Sequence, residues 1–432
     1  MMSRLVYKFD ATAIKGLGVV LFFLLFSINC FSQEFKKTFV KEIEVAKDLT
    51  VLTNVPTSLL LKFNTTSSGT SNTKYGYIVK GKGNVERLYI HKEFVIETWD
   101  KGQIRQEVEV VLKTSSQEDG ENLMNDFHIE FLKTKEGAVA IDANMNLVKF
   151  FMKNSNFSRD DCRIVLNGGK KYKIDYLEMK TKLFIPKTAN LNVRSTLNHT
   201  LRLGDLEGDL DLDISYGEVY GGKIKNLNAN LRFCYNVIFD EAENVISSAT
   251  RSHLKIDRVT NLELGKNKLA EEPYVNEHHD DYLENNSSSN LYNFGTVKKI
   301  TVYDSALDDF KIGTVDNMEV RHSAFSNYKI SKLNHTLHFD GKNGDVKIIK
   351  VDKRFESIDI SSSVCALNIG LADDADFDLD ISNKYTTDVK LPTDAKLTEH
   401  GRGIHSVYKV GKGVSTGKVT IRCEQCELGF DN

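Results

Sequence analysis

A short apolar motif returns along this chain at a nearly fixed interval, and that interval limits the fold more than any single residue does. The segments LRLGDLEG (Leu201 to Gly208), VYGGKIKN (Val219 to Asn226), VIFDEAEN (Val237 to Asn244) and LKIDRVTN (Leu254 to Asn261) align with YNFGTVKK (Tyr292 to Lys299), FKIGTVDN, YKISKLNH and VKIIKVDK. Their third apolar position falls at Leu206, Ile224, Ala242, Val259, Val297, Val315, Leu333 and Val351. The steps are 18, 18, 17, 38, 18, 18 and 18, so the long one is a repeat plus a 20-residue insertion. A return this regular marks a stacked-repeat architecture.

Within a repeat the pattern is that of strands. Leu210, Leu212 and Ile214 alternate with Asp209, Asp211 and Asp213, which places apolar side chains on one face and acids on the other. A corner at Ser215-Tyr216-Gly217 separates this run from Val219-Tyr220-Gly221. Other corners carry Gly204, Gly221 and Gly313 or Asn226, Asn244, Asn261 and Asn317, residues that tolerate positive φ. The pattern predicts an all-β chain folded as a parallel β-solenoid (β-helix), with coils of about 18 residues pairing strand on strand at about 4.8 Å. Helical repeats need roughly 30 or more residues and a 3.6 period. A β-sandwich would also alternate, but its strands seldom hold one register for so long.

Residues 1–33 read as a signal peptide. Arg4, Lys8 and Lys15 precede an apolar run from Leu17 to Phe26, too short to span a bilayer comfortably. Cys30 raises lipidation, but Ser27-Ile28-Asn29 is a poor lipobox, so ordinary cleavage is the expectation. Residues 34–185 predict a β-rich N-terminal cap. Its short helix spans Ser115 to Phe127, with Ser116 as the cap and Leu123, Met124 and Phe127 on one face. Trp99, the one tryptophan, is expected to pack against core or cap. Residues 186–432 predict the repeat domain, interrupted at about 265–290 by GKNKLAEEPYVNEHHDDYLENNSSSN. The final alternation, Val419 to Phe430, is expected to be its open end, with the stretch from Thr393 to Gly417 a loop folded over it.

The run FVIETWDKGQIRQEVEVVLK, a short helix, HIEF, YLEMKTKLFIPKTANLNV and then LGDLEGDLDLDISYGEVYGGKI resembles the bacterial "putative adhesin" β-strand-repeat family, common in Bacteroidetes and mostly of unknown function. The resemblance covers about residues 90 to 432 and implies export and a β-solenoid, with no catalytic residues to carry over. The family's Ser-Tyr-Gly-Asp corner stands here as Ser215-Tyr216-Gly217-Glu218; the segment before Phe94 is irregular, and the insertion is large.

No catalytic motif and no cofactor site emerges. His278, His279, Asp280 and Asp281 have metal-ligand chemistry, yet adjacent histidines seldom face one ion and no second cluster supports them, so a solvated loop is expected. Cys423-Glu-Gln-Cys426 crosses a strand corner and lacks the helix N-terminus that activates redox motifs, leaving open a local disulfide, two free thiols or a redox or metal role. Asp209, Asp211 and Asp213 meet Asn228 and Asn230 one repeat on, a tolerable outer face. The glycines from Gly411 to Gly417 mimic a phosphate loop but have the wrong spacing, and Val419 follows Lys418.

Without the leader the chain has 54 basic and 59 acidic residues, evenly mixed, which argues against nucleic acid. The expectation is an exported, monomeric, non-enzymatic surface of the cell envelope, adhesin-like or scaffolding, meeting an envelope protein or glycan. It would lie in the periplasm, at the outer-membrane periphery or on the cell surface, with no membrane span after cleavage. A polysaccharide-active β-helix enzyme and a periplasmic sensory or regulatory protein are the alternatives.

Overall fold

Eight positions separated by one repeat in sequence become direct neighbours in space. In the computed structural model, Leu206 pairs with Ile224, Ile224 with Ala242, Ala242 with Val259 and Val259 with Val297. Val297 then pairs with Val315, Val315 with Leu333, and Leu333 with Val351, every pairing parallel and every side chain buried. The structure describes residues 32–46, 49–55, 93–135, 137–142, 145–152, 162–196, 200–266, 289–372, 374–383, 389–400 and 405–431. The signal segment up to residue 31 with Cys30, and His278, His279, Asp280 and Asp281, lie outside the described residues. Because Val259 lies beside Val297, the extra chain interrupts a connection and leaves the ladder whole.

The molecule is nearly all β, built on a large, mostly parallel sheet, with one helix among the described residues. Its long strands, such as Asn236–Thr250 and Asp309–Ala324, are not simple two-faced ribbons. Inward positions run Val237, Phe239, Ala242, Val245, Ser247 and Ala249, so the alternation of two is broken twice by a step of three. One buried cluster runs through all these rows, from Val51 to Phe430. Within it Tyr292, Phe310 and Tyr328 stack, with ring centroids 4.9 and 4.4 Å apart.

The parallel ladder also takes in strands that precede Pro186. Thr50–Val55 pairs with Asn190–Thr196, and Glu93–Trp99 pairs with Thr200–Leu203. Beyond them Tyr176–Pro186, Gln103–Thr114 and Gln33–Glu44 continue in antiparallel order. A second core forms where Val108, Val110 and Leu112 meet Leu123, Met124 and Phe127. The helix Gln117–Asp126 begins where expected, because the Ser116 hydroxyl accepts from the Asp119 N–H at 3.1 Å. It lies close on the Phe35 ring through Gly120, where any side chain would collide. Trp99 stacks on Phe184 at 5.3 Å, and its indole N–H donates to the Gln103 carbonyl.

At the C-terminus spatial order departs from sequence order. Ser357–Ser363 and Cys365–Gly370 pair with the last strands of the chain, Gly417–Cys423 and Cys426–Asp431. Phe377–Asn383 pairs on the far side of Gly417–Cys423, and His405–Val410 and Lys396–His400 add antiparallel strands outside it. The expectation of an open end at Val419 to Phe430 is therefore corrected: Ile421 is held between Ile360 and Ile381. The stretch from Thr393 to Gly417 contributes a hairpin as well as loops. Its outer strand, Lys396–His400, is exposed along its length and carries charge, which suits a sheet edge. Periodicity could not order these rows, because Phe377–Asn383 alternates as well as the final strand does.

Val315 is wholly buried in the central apolar row, whereas Lys311 on the same strand is exposed. A buried, unpaired amide costs roughly 1–3 kcal/mol, so Val315→Asn should lower the urea midpoint clearly and Lys311→Asn hardly at all. Equal shifts in equilibrium unfolding would refute the register.

Candidate functional site

Successive rows of the ladder turn through one residue in the left-handed region. These residues are Tyr216, Phe233, Arg251, Ser289, Leu307, Phe325, Asn343 and Val364, with φ between 47° and 58°. For most L-residues this region costs roughly 1–2 kcal/mol, because Cβ crowds a carbonyl oxygen. Asn343 is of a type that tolerates it; phenylalanine, leucine and valine are not. Hydrogen bonds to the next row hold the turns in place. The N–H groups of Tyr216, Phe233, Leu307, Phe325 and Asn343 donate to Arg232, Thr250, Ala324, Lys342 and Ser363 at 2.8–3.0 Å.

The glycines and asparagines expected to take positive φ do not. Asn261 donates through its side chain to Asn244, Asn244 to Asn226, and Asn226 to Asp209, at 2.7–2.8 Å. Asn226 and Asn244 stay in register because each amide both gives and accepts along the stack. Gly221 serves close packing: the Phe239 ring of the next row lies where a Cβ would be.

The corner has two chemically different sides. Outward, Tyr216 is 42% exposed, Leu307 57%, Phe325 58% and Val364 50%, apolar side chains on a ridge that also carries Arg251, Ser289 and Asn343. The Tyr216 and Phe233 rings stack at 4.8 Å, the Arg251 guanidinium lies 5.7 Å from the Phe233 centroid, and Tyr235 is 62% exposed beside His253. Ser289, in the same column, is where the chain returns from the insertion.

Inward, the residue after four of these corners, Ser252, Asn290, Asp308 and Ser326, carries a polar side chain that caps the backbone of the row before. Ser252 Oγ accepts from the Cys234 N–H, and Asn290 Oδ1 from the Ser252 N–H. Asp308 Oδ1 accepts from the Asn290 N–H, and Ser326 Oγ from the Asp308 N–H, all at 2.8–3.1 Å. Burial pushes the Asp308 carboxyl up to about 6, with hydrogen bonds from Asn290 pulling it back down. Burial likewise raises the Cys234 thiol, which makes it a poor nucleophile. Nothing in the sequence pattern singled out this ladder, although a polar residue just inside a corner recurs at Ser252, Asn290, Asp308 and Ser326.

Other residues singled out by sequence have partners close by. Asp209, Asp211 and Asp213 accept from Asn226, Asn228 and Asn230, and Arg232 adds an ion pair to Asp213 at 2.7 Å. In the loop from Gly411 to Gly417, the Gly413 N–H donates to Asp376 and the Ser415 hydroxyl to Asp378, so these donors face carboxylates. Two shallow grooves of about 530 and 550 Å³ run over the outer faces. In the first, Asp359 pairs with Arg422 at 3.0 Å; in the second, Glu241 pairs with Lys223 and Arg258. Cys423 and Cys426 come together across their corner, with Cα atoms 6.0 Å apart. Among the described residues no helix is long and apolar enough to cross a membrane.

No family model and no curated protein matches this chain. Two solved structures align with it. One is a "putative cell adhesion protein" from Clostridium sporogenes, 10% identical, covering 92% of this chain and 98% of that one, with a TM-score of 0.18. The other is a "putative lipid binding protein" from Parabacteroides distasonis, 12% identical, covering 78% and 97%, with a TM-score of 0.27. Scores this low lend no weight to either likeness.

Asp308 yields a pH signature. An unfolded aspartate titrates near 3.9, so between about 4 and 6 the folded protein holds a proton that the unfolded chain has lost. The stability that Asp308 contributes then falls as pH rises through that window, by an amount on the order of 3 kcal/mol, and changes no further above it. Asp308→Asn keeps the Oδ1 acceptor and should remove this fall. Urea midpoints of both proteins from pH 4 to 7.5 read it out, and parallel curves would refute the assignment.

Proposed function

We propose that this chain is an exported β-solenoid of the bacterial envelope and that its left-handed corner forms an adhesin-like binding surface. The solenoid reading is supported by parallel pairing at the repeat distance, by the three-residue steps in the inward alternation, which suit corners, and by one core shared among all rows. Each coil would then present its corner residue in the same column as its neighbours.

One observation carries the functional reading: apolar side chains stand outside the molecule in a backbone conformation that disfavours them. Phe325 and Leu307 gain little by burial there and crowd their own backbone, so glycine or asparagine would serve folding better. Residues that oppose stability at an exposed site point to a contact made elsewhere. A protein partner fits this ridge better than a glycan. Sugars stack on open ring faces, whereas Tyr216 and Phe233 cover each other and Arg251 lies over the latter. The surface would be non-enzymatic, and exposure in the periplasm or on the cell surface would both serve it.

The test separates folding from binding. Phe325→Asn, combined with Leu307→Asn, places a tolerant residue at each left-handed corner and should raise stability by roughly 1 kcal/mol per site. The same variant should lose capture of envelope proteins by the immobilised chain. A variant that melts higher and captures the same proteins as the parent would sink the ridge as the binding surface.

A further inference from the structure

Towards the C-terminal end, the inner column carries a second sulfur. Cys365 follows the left-handed Val364 as Asp308 follows Leu307 and Cys234 follows Phe233. It pairs Cα to Cα with Cys426 of the final row, and its Sγ lies 2.8 Å from the Cys426 Sγ. Cys423 and Cys426 are joined across the Glu424–Gln425 corner, and the three sulfurs lie within 4.8 Å of one another. Cys423 and Cys426 are buried, and Cys365 is half-buried.

A thiol in contact with a disulfide is placed for exchange, since the reaction begins when a thiolate reaches the sulfur it attacks. We propose that Cys365, Cys423 and Cys426 form an intramolecular thiol–disulfide exchange centre in which Cys426 trades one partner for the other. Cys365 loses its proton to solvent and its thiolate attacks the Cys426 Sγ. The Cys365–Cys426 bond forms as the Cys423–Cys426 bond breaks. The electron pair of the broken bond leaves on the Cys423 Sγ, which takes up a proton. One thiol and one disulfide stand on each side, so no oxidant or reductant is consumed.

The two bridges differ in what they hold. The first joins residues three apart and shapes one corner. The second joins residues 61 apart and ties the final row to the row against which it pairs. The chain between them includes Phe377–Asn383 and the hairpin from Lys396 to Val410, so the second bridge would lock the out-of-order C-terminal assembly. A longer closed loop also removes more freedom from the unfolded chain. Burial holds the Cys365 thiol up, with Asp345 adding to it and Ser362 opposing, so exchange should be slow near neutrality and faster in alkali.

The whole chain, purified without reductant, is held at pH 6 or pH 8.5. It is then unfolded in acid, its free thiols are blocked with N-ethylmaleimide, and its peptides are mapped by mass. The expected result is maleimide divided between Cys365 and Cys423, with both bridged peptides present and the Cys365–Cys426 species growing several-fold faster at pH 8.5. Label on Cys365 alone, with Cys426 bridged only to Cys423 at every time, would overturn the proposal. So would label on all three cysteines. Cys365→Ser controls for exchange between molecules: label at Cys423 in that variant would also count against the centre.

Discussion

The structure depends on what a parallel ladder does when its register equals the sequence repeat: every residue lies beside its own counterparts. Leu206, Ile224, Ala242 and Val259 therefore meet each other inside, and Tyr292, Phe310 and Tyr328 stack. Each cross-strand pair contributes only about 0.2–1 kcal/mol, yet the same choice recurs row after row. The rule also penalises like charges. Asp209, Asp211 and Asp213 occupy one row, and the next row answers with Asn226, Asn228 and Asn230, whose amides donate to them.

At the corner the same stacking divides two duties. A left-handed residue turns its side chain out and lets the following residue turn in. The inward residue's backbone leaves the ladder at the bend, and from Cys234 to Asp308 a short polar side chain of the neighbouring row accepts from its N–H. That arrangement brings Asp308 into the interior, where burial opposes its charge. Outward, the ridge bears residues that neither the backbone nor water favours, which is why it stands apart from the paired charges of the outer faces.

Both ends of the parallel ladder pass into antiparallel strands. Gln103–Thr114 continues the N-terminal side, and the hairpin of Lys396–His400 with His405–Val410 lies beyond the C-terminal rows. Inserting the last strands between earlier ones requires the chain to leave and return. The entropy of closing that loop grows only slowly with its length, so pairing on both sides of Ile421 can outweigh it. The insertion also brings Cys426 beside Cys365.

Local pattern determined much of this fold. Alternation marked the strands, the 18-residue spacing identified the apolar row, and Ser116 with Leu123 and Met124 marked the helix, because each signal acts between residues near in sequence or repeated at fixed distance. The corner conformation was not legible: Phe325 and Leu307 sit where local preference calls for Asn or Gly, so pairing with the next row overrides it. Nor was the contact between Cys365 and Cys426, or the position of Phe377–Asn383 outside Gly417–Cys423. Equivalent alternating strands carry no mark of their order. That order is decided by which backbone edge and apolar face a strand meets in three dimensions, and tertiary structure alone supplies it.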